Sequence, residues 1–201
     1  MRKSAGSGMS TSIIQVWDSV HRSSRRDGVL EQLKVSVEIR DERPEDVVAI
    51  REVNRRAFGQ KQEGNIVEAL RANGAVVLSL VATLNDRVVG HIMYSPATIG
   101  EITGAALGPM AVLPEYQRQG IGSKLVETGN QKLKQARCPF VIVVGHPNYY
   151  PRFGFKPASA LAISCEWDVP DDVFMLLLLD EMKMMGVSGL VKYRHEFSMV
   201  S

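Results

Sequence analysis

The sequence predicts an α/β domain built on a mixed, mostly antiparallel central sheet with flanking helices. Three observations carry that expectation. Two β-rich runs, residues 76–84 and 88–94, flank Asn85-Asp86, whose side chains suit a tight turn, so the middle of the sheet should be an antiparallel hairpin. Phe140–Val144 is an unbroken apolar run, the pattern of a strand covered on both faces. Amphipathic segments fall at irregular intervals between the strands, without the regular βαβ alternation of a parallel sheet and without an internal repeat. A length of 201 residues with 45% hydrophobic and 23% charged residues is ordinary for one globular domain and argues against a fibrous or wholly disordered chain.

The elements follow in order. Residues 1–34 open with MRKSAGSGM and stay rich in Ser and Arg to Arg26, a composition shared by unstructured tails, tags and transit peptides; they are set apart as an N-terminal extension, with the domain at 35–201. Val35, Val37 and Ile39 alternate with polar residues and predict a short first strand. Pro44 opens a helix running to Phe58, with Val47, Ile50, Val53, Asn54 and Ala57 on one face and Glu45 and Asp46 in the first turn, where the helix dipole favours acids. A second helix is expected at about 65–72, closed by Gly74. After the hairpin, residues 99–112 read as a strand in which Pro109, lacking an N–H, predicts a bulge. Beyond Pro114, Ile121, Leu125, Gly129 and Leu133 recur every four residues opposite Lys124, Glu127, Gln131 and Lys134, which is an amphipathic helix. Phe140–Val144 follows, then a short helical piece at 147–152, strands at 153–164 and 173–179, and a last stretch of 20 residues left unassigned.

Charge and cysteine usage narrow the function classes. The net charge is +2; residues 1–36 carry +3 and the remainder −1, so the globular part has no basic bias and a nucleic-acid partner is not expected. The longest apolar run, 173–179, is far short of the roughly 18 residues of a membrane span, so no membrane association is expected. Cys138 and Cys165 lack close-spaced Cys or His neighbours; the expectation is buried thiols in a reduced, cytoplasmic setting, with no metal and no disulfide framework.

The chemistry points to residues 117–123, Gln-Arg-Gln-Gly-Ile-Gly-Ser, between a strand and a helix. Gly120 and Gly122 let several N–H groups converge on an anion at a helix start, so phosphate binding is expected. The spacing is neither that of a Walker A loop, which counts against a nucleotide hydrolase, nor that of a dinucleotide fingerprint, whose third glycine is Leu125 here. The string from Leu107 to Ser123, LGPMAVLPEYQRQGIGS, resembles the acetyl-CoA-binding core of the GNAT-type N-acetyltransferase superfamily, whose hallmark is Q/R-x-x-G-x-G/A. Tyr150-Pro151-Arg152-Phe153-Gly154-Phe155 is similar to that superfamily's Tyr-x-x-x-Gly-Phe segment, and residues 40–58 resemble its first strand and helix. The similarity spans about residues 37–180.

That resemblance implies an acyl-CoA N-acyltransferase fold, with a strand pair that splays around acetyl-CoA as cosubstrate. Backbone amides of Gln117, Arg118, Gln119, Gly120, Ile121 and Gly122 would hold the CoA pyrophosphate, with the hydroxyl of Ser123 beside them and the Arg118 side chain near the phosphates. The backbone of Met110, Ala111 and Val112 would pair with the pantetheine arm, and an amide of this strand would stabilise the tetrahedral intermediate of direct transfer to a primary amine. Tyr150 matches the residue that protonates the departing thiolate, while Tyr149 is expected to face elsewhere. The first two helices would shape the acceptor side through Asn54, Phe58, Glu63 and Glu68. No acid or histidine lies in 102–112, so Glu101, Glu63, Glu68, His91 and His146 are the candidates for a base, each more readily structural, and the shortened segment at Asn148 leaves its CoA contact open. The acceptor would be a small-molecule or protein amine, and a homodimer is compatible with the family. The alternative is a non-catalytic acyl-CoA-binding or regulatory module on the same fold.

Overall fold

Asn85 and Asp86 turn the chain between β2 (Leu78–Leu84) and β3 (Arg87–Ile99) with φ of 49° and 62°, the left-handed backbone that matches the twist of paired strands. This hairpin is the centre of the sheet. In the computed structural model of the chain, residues 36–59 and 62–200 are described; the N-terminal extension and Val35 lie outside them. Among the described residues the strand order is β1-β2-β3-β4-β5-β8-β6, with β1 at Glu38–Asp41, β4 at Ile102–Val112, β5 at Phe140–Val144, β6 at Lys156–Pro157 and β8 at Phe174–Leu178. Every neighbouring pair on this path is antiparallel except β4 with β5. The mixed, mostly antiparallel sheet expected from the sequence is therefore the one that forms.

Adjacent residues on one strand show how the helices are distributed. A Cβ at Gly90 would lie 3.1 Å from Leu125 of α3 (Ile121–Gln135), whereas the next side chain, His91, meets Asn54 of α1 (Val47–Phe58). Successive strand residues point to opposite faces, so α3 covers one face and α1 covers the other, next to α2 (Gln62–Ala72). The face of α1 predicted from spacing is the buried one: Ile50, Val53, Asn54 and Ala57 are all inside. In α3 the same holds for Ile121, Leu125, Gly129 and Leu133. Each fully buried Leu or Ile there stabilises by about 1.5–3 kcal/mol. A glycine is needed at 129 because a side chain would overlap the Tyr94 ring, and this lets α3 lie close on β3.

Two irregularities of β4 shape the site. Ile92 opposes Met110 but Tyr94 opposes Leu107, so β4 carries one extra residue around Gly108-Pro109, the bulge that Pro109 predicts. Pairing with β5 is confined to Ala105 opposite Val141 and Ala106 opposite Ile142, and beyond it β4 runs on to Val112 alone on that side. This is the splay.

Three expectations need correction. Among the described residues the first strand begins at Glu38, and Val37, expected in it, is not part of it; Val35 lies outside the described residues. Residues 153–164 are not one strand: a 3-10 turn at Tyr150–Phe153 precedes β6, and a second at Ala158–Leu161 separates it from β7 (Ile163–Ser164). Gly154 at φ 89° and Ala162 at φ 53° leave the extended region, and Pro157 has no N–H to give a ladder. The final residues are structured. They form α4 (Glu181–Met184), β9 (Gly189–Lys192), which pairs with the end of β3 and with β7, and a 3-10 turn at His195–Val200 that packs on α2.

Candidate active site

The loop after β4 is tied down by its own polar side chains. The Gln117 side-chain amide donates to the Val112 carbonyl at 3.0 Å, and that of Gln119 donates to the Glu115 carbonyl at 3.1 Å. Arg118 and Gly120 take φ of 60° and 82°, which turns the chain sharply into α3. Gly120 occupies the N-cap and supplies no side-chain cap, so the N–H groups of the first helical turn have no protein oxygen at that position and face outward with the positive end of the dipole. The space around Gly120 is open, with no atom within 4 Å of where its Cβ would be.

This helix start is one wall of a cleft of about 370 Å³. Met110, Ala111 and Val112 of the unpaired part of β4 form a second wall, and Ala57 and Phe58 at the end of α1 close it from the other face of the sheet. Gln117, Arg118, Gly120, Gly122 and Ser123, the residues expected at the phosphates, border it. Gln119 and Ile121 do not: one side chain folds back to Glu115, and the other is 2% exposed in the core.

The tyrosine pair is arranged differently from expectation. Tyr149 lines the cleft, packed against Gly122. Arg152 lies 4.1 Å over its ring and donates to the Ser123 hydroxyl at 3.1 Å. Tyr149 immediately precedes the 3-10 turn, in which residues three apart eclipse, so Tyr149 and Arg152 share one side and Tyr150 is turned inward. Tyr150 is 7% exposed, edge-on to Tyr149 at 5.1 Å and to Phe155 at 5.5 Å. Burial pushes its phenol well above the ordinary range, so it keeps its proton at any physiological pH. Ala57, Tyr116, Tyr149 and Arg152 are the cleft residues that sequence reasoning missed; for the last two the i, i+3 spacing around Pro151 was the available signal.

The candidate bases are dispersed. Glu101 is exposed in the turn between β3 and β4, away from Met110, and Glu68 pairs with Arg51. The side chain of Glu63 lies outside the described residues. His146 accepts from the N–H of Asn148 at 3.2 Å, and Asn148 itself is exposed. His91 is fully buried, and burial, reinforced by Arg71, pushes its imidazole down to about 3. The Asn54 amide donates to the Ile50 carbonyl at 2.9 Å and to His91 Nδ1 at 3.1 Å, which leaves Nε2–H to donate to Ser79 Oγ at 3.0 Å. Ser79 in turn donates to Glu42, which Arg71 holds at 2.6 Å. Asn54, expected on the acceptor side, is thus committed to a buried network that pins α1 and α2 to the sheet, while Phe58 of the same helix does reach the cleft. Cys138 and Cys165 are unpaired and half-buried, not fully buried. Among the described residues no group of His, Cys, Asp or Glu is placed to hold a metal ion, and no helix is long and apolar enough to cross a membrane.

A family model described as the acetyltransferase (GNAT) domain matches residues 76–157. The chain is 42% identical over 120 residues to the uncharacterized N-acetyltransferase YjhQ of Escherichia coli (strain K12), a match that covers 57% of this chain and 66% of that protein, just under two thirds of its length. It is 34% identical over 163 residues to the uncharacterized N-acetyltransferase YhbS of the same strain, covering 80% of this chain and 98% of the relative. The crystal structure of YhbS from Escherichia coli in complex with CoA superposes with a TM-score of 0.79 at 30% identity, over 87% of this chain and 96% of that one. A GNAT family acetyltransferase from Brucella melitensis in complex with acetyl-CoA gives 0.68 at 37% identity, over 81% and 99%. Since one such relative aligns along almost its whole length and its structure superposes on this one, this chain belongs to the GNAT family of N-acetyltransferases.

Proposed function

We propose that the cleft holds acetyl-CoA and that the chain transfers the acetyl group directly to a primary amine. The observation that carries this reading is the early end of β4–β5 pairing at Ala106, which opens unpaired β4 peptide groups onto a cleft that finishes at an uncapped helix start. One end suits a chain of amides and the other a diphosphate. Unpaired backbone groups away from water are costly, and ligand amides would satisfy those that the stretch Met110, Ala111, Val112 turns to the open side, where the Val112 carbonyl already accepts from Gln117. Amides from Gln117 to Gly122, the Ser123 hydroxyl, and the guanidinium groups of Arg118 and Arg152 would share the phosphates.

The thioester supplies an activated acyl group. An N–H of β4 polarises its carbonyl, and the acceptor reacts as the free amine. A C–N bond replaces the C–S bond, the nitrogen gives up one proton, and the sulfur takes one. Tyr150, kept protonated by burial next to the cleft-lining Tyr149, is the group we assign to donate that proton. Unpaired Cys138 and Cys165 favour a cytoplasmic setting for this chemistry.

The test joins calorimetric titration to thiol release. CoA should bind much more tightly than ATP, because the β4 wall recognises the arm that ATP lacks, and acetyl-CoA should yield free thiol in the presence of small amines or peptides. Equal affinity for CoA and ATP would reduce the site to a general anion cradle. Tight CoA binding without thiol release across the panel would favour the regulatory module.

A further inference from the structure

Three aromatic side chains, Trp167 and the C-terminal pair Tyr193 and Phe197, meet on the sheet face opposite α3. Trp167 stacks on Tyr193 with ring centroids 4.3 Å apart, and Phe197 closes the group at 5.7 Å from Tyr193 and 6.5 Å from Trp167. A Cβ at Gly108 would meet the Phe197 ring edge at 3.7 Å, so the cluster rests on β4 just past Ala106, where β5 has stopped covering the strand. From the other face the cleft reaches β4 at Met110, beside Gly122. Gly108 and Met110 are two residues apart, on either side of Pro109 in the bulge. The cleft itself passes through the gap, since Tyr149 and Gly122 border it on the α3 side and Ala57 and Phe58 on the α1 side.

The cluster is held firmly without being sealed. The Tyr193 N–H donates to Glu166 at 3.0 Å. Glu196, fully buried, accepts from Arg194 at 2.9 Å and from Asn73, just past the end of α2, at 2.9 Å, which fastens the turn that carries Phe197. Trp167 and Phe197 nonetheless remain partly exposed, unlike rings that only fill a core. Direct transfer requires the amine to reach the thioester carbonyl on a side that CoA leaves open, and the rings lie beside β4 at Gly108, on the sheet face opposite α3. Resting on the acetyl-transfer reading above, we infer that Phe197, Trp167 and Tyr193 form the wall against which the acceptor lies, and that the acceptor is a primary amine carried on an aromatic or similarly flat, π-rich group.

Phenethylamine and its ring-saturated counterpart 2-cyclohexylethylamine separate π recognition from simple burial. In the full chain the aromatic amine should show a KM lower by about 3- to 10-fold, the range that ring pairing adds beyond area. Trp167→Leu and Phe197→Leu should shrink that ratio toward one with the KM for acetyl-CoA unchanged, and Trp167→Phe should restore it; CoA titration and melting of each variant check that it is folded. Thiol release with equal KM values, or a preference that survives both leucine variants, overturns the aromatic wall and leaves the transfer reading standing. Phenethylamine is also titrated by calorimetry into the CoA-saturated protein. Binding that depends on Trp167 but yields no thiol from acetyl-CoA supports the wall and overturns the transfer reading, and neither binding nor release overturns the wall.

Discussion

A methyl group at position 122 probes the cleft with the smallest available change. Its carbon would lie 2.7 Å from the Tyr149 hydroxyl and 3.4 Å from the Met110 sulfur. The hydroxyl would have to retreat by about 0.7 Å to reach ordinary contact distance. Tyr149 carries Arg152 on its ring, and Arg152 reaches Ser123 at 3.1 Å, so the displacement passes to the groups assigned to the phosphates. Losing one charge-assisted hydrogen bond to phosphate costs about 1.5–3 kcal/mol, which weakens CoA binding by roughly 10- to 100-fold. Stability should move the other way. Position 122 lies in the first turn of α3, and alanine is better than glycine inside a helix by about 1 kcal/mol, so Gly122→Ala should melt no lower than the parent. Tyr149→Phe removes the oxygen that the methyl strikes, and adding it to Gly122→Ala should bring CoA affinity back to within about 3-fold of Tyr149→Phe alone, a coupling of the size seen between side chains in contact. Calorimetric titration with CoA and thermal melting on the four proteins measure this cycle. Parental affinity in Gly122→Ala, or two losses that simply add, would refute the assignment of Tyr149 and Arg152 to the CoA wall.

Tyr150→Phe keeps the buried ring and deletes the proton; kcat should fall by about 10²-fold with acetyl-CoA affinity little changed, whereas a full-speed enzyme destabilised by about 1 kcal/mol would leave the phenol a packing role. His91 predicts a pH dependence. Its folded pKa of about 3 lies below the roughly 6.5 of an unfolded histidine, so the unfolded chain binds more protons between those values; stability is complete above about pH 6.5 and falls as the pH drops toward 3, by up to about 1.4 kcal/mol per unit. Glu196, held down to about 2 chiefly by its hydrogen bond with Arg194, adds a loss of the same sign only below about pH 4.5. Urea titrations between about pH 7 and 5 therefore isolate the histidine, and a slope unchanged in His91→Gln would remove it as the source.

The parts of the fold that were legible in the sequence are those set by local rules. The Asn85-Asp86 turn, the buried stripe of α3 and the bulge at Pro109 each depend on the conformational limits of a few adjacent residues, and each appears where the residues place it. The stretch 153–164 misled because its apolar content resembles a strand, while Gly154, Pro157 and Ala162 break the extended backbone in three places. Tyr149, expected to face elsewhere, lines the cleft because one short 3-10 turn, invisible to composition, sets neighbouring side chains about a third of a turn apart.

The sequence by itself determined the membership and the glycine-bearing loop at the start of α3, because the geometry of such a loop and its backbone N–H groups is written in adjacent residues. Tertiary structure alone decided the rest. His91 of β3 finds Asn54 of α1 and Glu42 just past β1, Arg152 finds Ser123 through the packing of the turn on α3, and Phe197 finds Gly108 only after the last residues fold back over α2. Such contacts join positions tens of residues apart, and no local propensity encodes them. They arise when burial brings distant faces together, and at β4 that happens where β5 lets go of its neighbour after Ala106 and leaves one strand open to both faces of the sheet.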